Sequence, residues 1–402
     1  MSQRLDQSRL VLIFAAAGHC LFHVLVALYL TIVLALEIAW DRPYDELISL
    51  WTLGALLLGL AAPFAGWLGD RWGAANVMVV YFIGIGLATA LCGLAETPHQ
   101  LLGGLALIGF FGAAYHPVGT TWVVRNARAR GKAIATVGIF GGVGTAFAAL
   151  IAGGLTDLID WRAAFILPGL VSILIGLLLA AVLRSGAIVE LPEDVRPEPE
   201  PERGDVRRAL VALVTATFLT TMLYYVFSTM LPKWFEEALG TRLGDGFLGL
   251  GLSITVVYLL GSTSQFVGGY FCDRGYAKVA YVWSFILKLA AFAIAYSVGG
   301  WLVLPVAVIV VFAFDIAAPV ENVLIARFTP SHRRGLAYGI RNGLAIAAAP
   351  LGVELVAWLY NPASGFGNLF LVLAGSAVIV MLAAIAVPSD RPRRRPASAL
   401  TS

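Results

Sequence analysis

Twelve apolar runs, each about as long as a bilayer is thick, occupy most of this chain. A helix needs about 20 apolar residues to cross the hydrocarbon core. Stretches of that kind fall at roughly 10–36, 47–69, 76–95, 98–124, 132–157, 162–184, 208–234, 247–270, 278–298, 301–325, 335–358 and 366–388. Only 13% of the 402 residues are charged and 59% are hydrophobic. A soluble domain carries about 25% charged residues, so this chain lacks the polar surface to coat a globule in water. The expected fold class is an all-α polytopic membrane protein with twelve transmembrane helices. The N-terminal apolar run is too long for a signal-peptide core and no A-x-A cleavage pattern follows, so it reads as a retained first span.

One long connection interrupts the series. Residues 185–206, SGAIVELPEDVRPEPEPERGDV, are rich in Pro and Glu and read as a solvated linker. It divides the chain into 1–184, with six spans, and 207–402, with six spans and a basic tail. Arginine and lysine set the expected orientation. With the N-terminus in the cytoplasm, cytoplasmic segments hold 21 of them and outside segments hold 4, namely Arg42, Arg162, Lys233 and Arg242. That bias places both termini inside an inner (plasma) membrane. The tail Asp390–Leu400, DRPRRRPASAL, adds to that topology and attracts anionic lipid, with no nucleic-acid role expected.

A short charged turn repeats across the linker. GWLGDRWG lies between spans 2 and 3, and GYFCDRG lies between spans 8 and 9. Asp70 and Asp273 are 203 residues apart, and RGKA at Arg130 and RGLA at Arg334 are 204 apart. Two motifs at one offset indicate a duplicated six-span unit.

The motif Gly66, Leu68, Asp70, Arg71, Gly73 resembles the G-x-L-x-D-R-x-G signature of the major facilitator superfamily. The basic residues that usually follow are Ala74, Ala75 and Asn76 here. GFFGAAYHPVG followed by RGKAIATVGIFGGVG is also similar to bacterial drug exporters of the fosmidomycin-resistance type, although span 5 lacks the Gly-Pro pair of many exporters. The resemblance implies two six-helix bundles rocking about a central cavity by alternating access. It further implies a conformational gate: Asp70 against the N-terminus of span 11, with Arg71 and Arg125 as charge partners and Asp273 and Arg274 as the second-half equivalents.

Ionisable groups at membrane depth are costly and mark cavities or partners. His19 and His23 lie four apart in span 1 and share a helix face. His116 precedes Pro117 in span 4, where a kink is expected. Asp315 and Glu321 lie in span 10 and Arg341 in span 11. Tyr224 and Tyr225 lie in span 7. The resemblance implies that spans 1, 4, 7 and 10 line the cavity, which makes these residues the candidates for substrate contact and proton coupling. A static interhelical bond is the plainer alternative for each. Arg341 could instead pair with Glu321 or Asp315. Lys288 in span 9 reads as a structural ion and Glu354 as solvated. Two histidines four apart with a third and a carboxylate are a possible metal set, yet span positions do not show that they converge, so no metal site is expected.

The glycines of span 5 lack the Lys-Ser/Thr of a nucleotide loop and read as close helix contacts. Cys20, Cys92 and Cys272 have no CxxC spacing. No catalytic constellation and no cofactor are expected; the chain does not read as an enzyme. The function expected is secondary transport of a small organic solute, coupled to protons, with export favoured. The alternatives are import of a small organic anion, or a transport-inactive receptor or scaffold on the same fold.

Overall fold

The computed structural model describes residues 2–127, 130–189, 206–328 and 334–387. Side chains at 2–6, 130–131, 206–210, 241, 326–328, 334–344 and 346 also lie outside the described set. The linker from 190 to 205, the tail beyond 387 and the Arg341 side chain therefore lie outside the described residues.

Among the described residues the helices group into twelve spans, of which ten, or eleven with the bent span 2, are long and apolar enough to cross a membrane. They are span 1 (Ser2–Trp40), span 2 (Tyr44–Leu60 and Ala62–Trp72), span 3 (Ala74–Cys92), span 4 (Pro98–Asn126), span 5 (Arg130–Leu158) and span 6 (Trp161–Arg184) in the first half. Span 7 (Val206–Leu239), span 8 (Leu248–Asp273), span 9 (Ala277–Ala295), span 10 (Val303–Phe328), span 11 (Arg334–Leu359) and span 12 (Gly367–Ala386) form the second. Hydrocarbon offers no partner for backbone N–H and C=O groups, so each span closes its own ladder. The ends are capped locally. Asp160 accepts the Ala163 N–H at 2.8 Å at the start of span 6, and Thr97 accepts the Gln100 N–H at 3.3 Å ahead of Pro98. We call the side carrying the linker and the charged turns the linker face, and the other side the far face.

The duplication read in the sequence is visible in the packing. Span 1 lies along span 5, span 3 along span 6 and span 2 along span 4; span 7 lies along span 11, span 9 along span 12 and span 8 along span 10. Breaks also correspond. Span 2 bends by 42° at Ala61, ahead of Pro63, and span 8 is interrupted at Thr263, 202 residues later. Both charged turns close on a left-handed glycine, Gly73 at φ 91° and Gly275 at φ 72°. The halves meet along two equivalent seams, span 5 with span 8 and span 2 with span 11.

Glycines permit this packing. A Cβ on Gly109 of span 4 would sit 1.9 Å from the Gly54 carbonyl oxygen of span 2. One on Gly144 of span 5 would meet the Cys20 carbonyl oxygen of span 1 at 2.2 Å, and one on Gly251 of span 8 the Ala149 oxygen of span 5 at 2.4 Å. Small residues let backbones touch where lipid supplies no hydrophobic drive. Gly103, on the same span as Gly109, has nothing within 4 Å of its Cβ position. Gly109→Ala is therefore expected to destabilise the protein by about 1–3 kcal/mol through overpacking. Gly103→Ala is expected to be neutral or slightly stabilising, since alanine orders a helix better than glycine. Thermal unfolding of the two variants in detergent, compared with the parent, checks the contrast.

Candidate functional site

A cavity of about 270 Å³ lies between the halves. Span 1 contributes Phe22, His23 and Thr31; span 4 contributes His116; span 7 contributes Tyr224, Tyr225, Ser228 and Thr229; span 8 contributes Tyr258. Spans 2, 5 and 11 also reach it, through Trp51, Thr145 and Ala345. Span 10 supplies none of the lining residues. The implied set of spans 1, 4, 7 and 10 is thus met by three of its members, and the broken span 8 stands where span 10 was expected. The lining is aromatic and aliphatic with hydroxyls and imidazoles, the mix of a small-molecule pocket.

The three histidines converge, which the sequence left open. His19 Nδ1 bonds the Val137 carbonyl oxygen of span 5 at 2.8 Å. Its Nε2 lies 3.2 Å from His23 Nε2. His116 stands edge-on to His19 with ring centres 5.3 Å apart. Tyr115 stacks on His19 at 4.9 Å with its ring tilted only 12°, and its hydroxyl donates to the Ala15 carbonyl oxygen at 2.7 Å. Phe22 packs edge-on to both His23 and His116. Gly141 makes room: a Cβ there would touch the His19 ring at 2.4 Å. His116 sits on a π-helical turn, Tyr115–Gly119, which contains Pro117. The expected proline kink is this turn, where the missing N–H interrupts the regular ladder. His23 and His116 face the cavity, whereas His19 lies behind them. Their ligand nitrogens all fall within 4.8 Å of one another.

The second half carries charge instead. Asp315 is half-buried and accepts from Gln265 Nε2 at 3.4 Å. It is not among the described lining residues, but the lining residues Tyr224 and Tyr258 lie within its electrostatic reach. Tyr224 also packs edge-on to Phe314. Glu321 is 4% exposed and accepts from Tyr281 at 2.8 Å and Thr217 at 3.4 Å, which ties spans 7, 9 and 10 together away from the cavity. Lys288, which the sequence assigns to structure, is fully buried. Its ammonium lies 4.2 Å from the Phe285 ring centre and 4.8 Å from that of Phe314, with Asp315 and Glu321 in electrostatic range. Arg341 is on the helix of span 11, its side chain outside the described residues.

The charged turns occupy the linker face. Asp70 is exposed and pairs with Arg125 of its own half at 3.1 Å. Arg71 stacks over Trp67 at 5.4 Å, and Arg274 over Tyr270 at 3.5 Å. Gly66 lies against Pro117 of span 4, its Cβ position 3.6 Å from the proline Cβ. Asp273 is exposed. The described partner of Asp70 is thus within its half; the side chains at the start of span 11 lie outside the described residues.

Bonds that sequence reasoning did not single out join the halves at the far face. Lys233 of span 7 bridges Glu37 of span 1 and its neighbour Glu236, each at 2.7 Å. The Tyr44 hydroxyl donates to the Thr229 carbonyl oxygen at 3.2 Å, and Thr52 donates to Glu354 at 2.6 Å. Asp157 accepts the N–H groups of Phe247 and Leu248 at 2.9 and 2.6 Å. Glu354, expected to be merely solvated, therefore joins the two halves. Only the low count of ionisable groups near span ends signalled these residues. Lys233→Met removes the cation between two carboxylates and is expected to loosen this junction. Spin labels at the far ends of spans 1 and 7 should then report a longer and broader distance distribution; an unchanged distribution would count against that role.

Known proteins give the same frame. The Major Facilitator Superfamily sequence model matches residues 12–274 and 214–402. The tetracycline resistance protein, class B, of Escherichia coli is 27% identical over 319 residues, 78% of this chain and 78% of that protein. The multidrug efflux pump LfrA of Mycolicibacterium smegmatis is 31% identical over 170 residues, 41% of this chain and 32% of that protein. In structure, a bacterial homologue of the human lysosomal transporter Spinster, in an inward-facing and unoccupied conformation, superposes with a TM-score of 0.74. It shares 14% identity and covers 97% of this chain and 99% of its own. Twelve spans in two equivalent halves, a cavity between them and a family match across nearly the whole length make this chain a multi-pass membrane transporter of the major facilitator superfamily, and not an enzyme.

Proposed function

We propose that the chain exports a small, largely apolar aromatic solute across the bacterial inner membrane, driven by inward proton movement. The observation that carries this reading is the composition of the cavity. Among the described residues, none that line it carries a fixed charge, while Thr31, Thr145, Tyr224, Tyr225, Ser228 and Thr229 offer hydroxyls among aromatic rings. Such a wall suits a neutral or weakly polar solute better than an organic anion. Similarity to a tetracycline resistance protein and to a multidrug efflux pump supports the outward direction. The bias of 21 basic residues to 4 supports both termini, the linker 185–206 and the linker face being cytoplasmic. With the halves joined at the far face, the conformation is then the inward-facing one, ready to load from the cytoplasm.

Alternating access asks that the far-face bonds open as the linker face shuts. Asp70, Arg125 and the turn glycines Gly66 and Gly73 form the hinge side of that exchange, with Asp273 and Arg274 in the matching place. Asp70 pairs with Arg125 in the inward-facing form, and a carboxylate at that turn can change partner to a helix N-terminus of the other half as the face closes. Asp70→Asn removes the charge from both contacts. It is expected to slow transport at least tenfold while leaving thermal stability unchanged, because the present pair is exposed and worth little.

Proton coupling rests on Asp315. It is half-buried, accepts from the neutral donor Gln265, and lies within electrostatic reach of the lining residues Tyr224 and Tyr258. A carboxylate so placed can be neutral in one conformation and ionised in another, and its charge is felt by the hydroxyl that faces the solute. Lys288 lies within range to stabilise the ionised form. The test is flux into inside-out vesicles under an imposed pH gradient, with tetracycline and small neutral aromatics as the probes. The parent protein should accelerate uptake with the gradient. Asp315→Asn should abolish the response to the gradient, a loss of at least tenfold, while retaining solute exchange at equal pH. Gradient-driven uptake that persists in Asp315→Asn would remove Asp315 from coupling, and no flux of any probe would sink the export reading.

A further inference from the structure

The histidine trio has geometry that neither solute export nor the Asp315 reading uses. We infer that His19, His23 and His116 form a binding site for one divalent transition-metal cation of the zinc, cobalt or nickel type. The inference is independent of which solute the protein carries.

Four observations carry it. First, His19 Nε2 and His23 Nε2 are 3.2 Å apart. Two nitrogens bound to one tetrahedral zinc at 2.0–2.1 Å are separated by about 3.3 Å, so this edge of the site already has the right length. Second, all three ligand nitrogens lie within 4.8 Å of one another. Closing the remaining edges asks for about 1.5 Å of side-chain movement at most. Third, His19 Nδ1 is held by the Val137 carbonyl oxygen at 2.8 Å. A carbonyl accepts only an N–H, so the Nδ1 proton is fixed and the Nε2 lone pair points into the trio. Metal-bound histidines are ordinarily oriented in this way, by a second bond from the other ring nitrogen. Fourth, the rings are held in place from outside: Tyr115 stacks on His19, Phe22 meets both His23 and His116, and Gly141 leaves room for the His19 ring alone.

The chemistry of the donors selects the class of ion. Neutral imidazole suits zinc, copper, iron and nickel, whereas magnesium and calcium require oxygen ligands. Three histidines leave one position of a tetrahedral ion open. Since His23 and His116 line the cavity, that position faces it. The ion would bring two positive charges to three neutral donors, so an anionic oxygen, from hydroxide or a solute, is the natural fourth ligand. The plain alternative is that His19 and His23 share a proton and do no more.

The full-length protein, prepared without a histidine tag and placed in lipid nanodiscs, tests the two. Titration with cobalt(II), followed by visible absorption, should show the intense bands of a four-coordinate ion saturating at one equivalent, and zinc should displace them. His23→Ala and His116→Ala should each weaken the binding at least tenfold, while His99→Ala, at an exposed position near the start of span 4, should leave it unchanged. If either variant fails to fold, X-ray absorption of the zinc-loaded parent decides. A shell of three imidazole nitrogens at about 2.0 Å supports the site. A cobalt spectrum without four-coordinate bands, binding undiminished in both folded variants, or a zinc shell of oxygen or sulfur would overturn it. None of these readouts depends on flux, so the metal site and the export reading stand or fall separately.

Discussion

Backbone polar groups in hydrocarbon must be satisfied within the chain, and this one requirement shapes everything else in the molecule. It makes every span a helix. It also removes the usual drive for helices to associate, because lipid tails are as apolar as the side chains. Association then depends on how closely backbones can approach. The contacts at Gly54 and Gly109, Gly144 and Cys20, and Gly251 and Ala149 show the result: helix backbones meet with no side chain between them. Two of these contacts lie within the first half, and the third lies on the seam between halves. The same device therefore builds the first bundle and joins the pair.

Against that background, each polar group inside the protein has a cost and a location that offsets it. The first half places its imidazoles together, satisfied by one another and by the Val137 carbonyl. The second half places its charges together, with Glu321 held by Tyr281 and Thr217, and Lys288 set against two aromatic faces. Ammonium over a ring retains part of the favourable field that water would supply. The two halves share a fold and a packing pattern, yet their polar interiors have diverged completely.

How much of this was written in the sequence depends on the range of the interaction. The spans were legible because apolar runs of a fixed length are local; span 6, expected at 162–184, is found at Trp161–Arg184. The duplication was legible because Asp70 and Asp273 lie 203 residues apart, and in the structure the breaks at Ala61 and Thr263, 202 apart, follow nearly the same offset. The pairing of His19 with His23 followed from helical spacing. The arrival of His116 beside them did not, since it depends on a π turn and on the tilt of span 4 against span 1. Asp315 and Glu321 seemed to belong to the cavity because span 10 was expected to line it. Rotation of that helix about its own axis decides otherwise, and no local pattern encodes it. Lys233 and Glu354 were invisible for a similar reason: each looks like an ordinary end-of-span charge until its partner, 196 or 302 residues away, is known.

The placement of charge relative to the cavity constrains how coupling can work in this chain. A carboxylate that touched the solute would bind it directly, and competition between proton and solute would follow from contact alone. Asp315 is not among the described lining residues, whereas Tyr224 and Tyr258, within its electrostatic reach, are. On the proposed reading, a change of charge at Asp315 reaches the solute by altering which of these hydroxyls donates and which accepts. Span 7, which carries Tyr224, also carries Thr229 and Lys233, two of the groups that join the halves at the far face. Tyr224 and Lys233 are nine residues apart on one helix, about 14 Å along its axis at 1.5 Å per residue. One continuous helix, with Pro232 beside Lys233, joins the two. On the proposed reading, Tyr224, which feels Asp315, and Lys233, which bridges to Glu37 at the far face, share span 7, so a tilt of that helix toward a newly charged Asp315 is expected to load the bridge from Lys233 to Glu37.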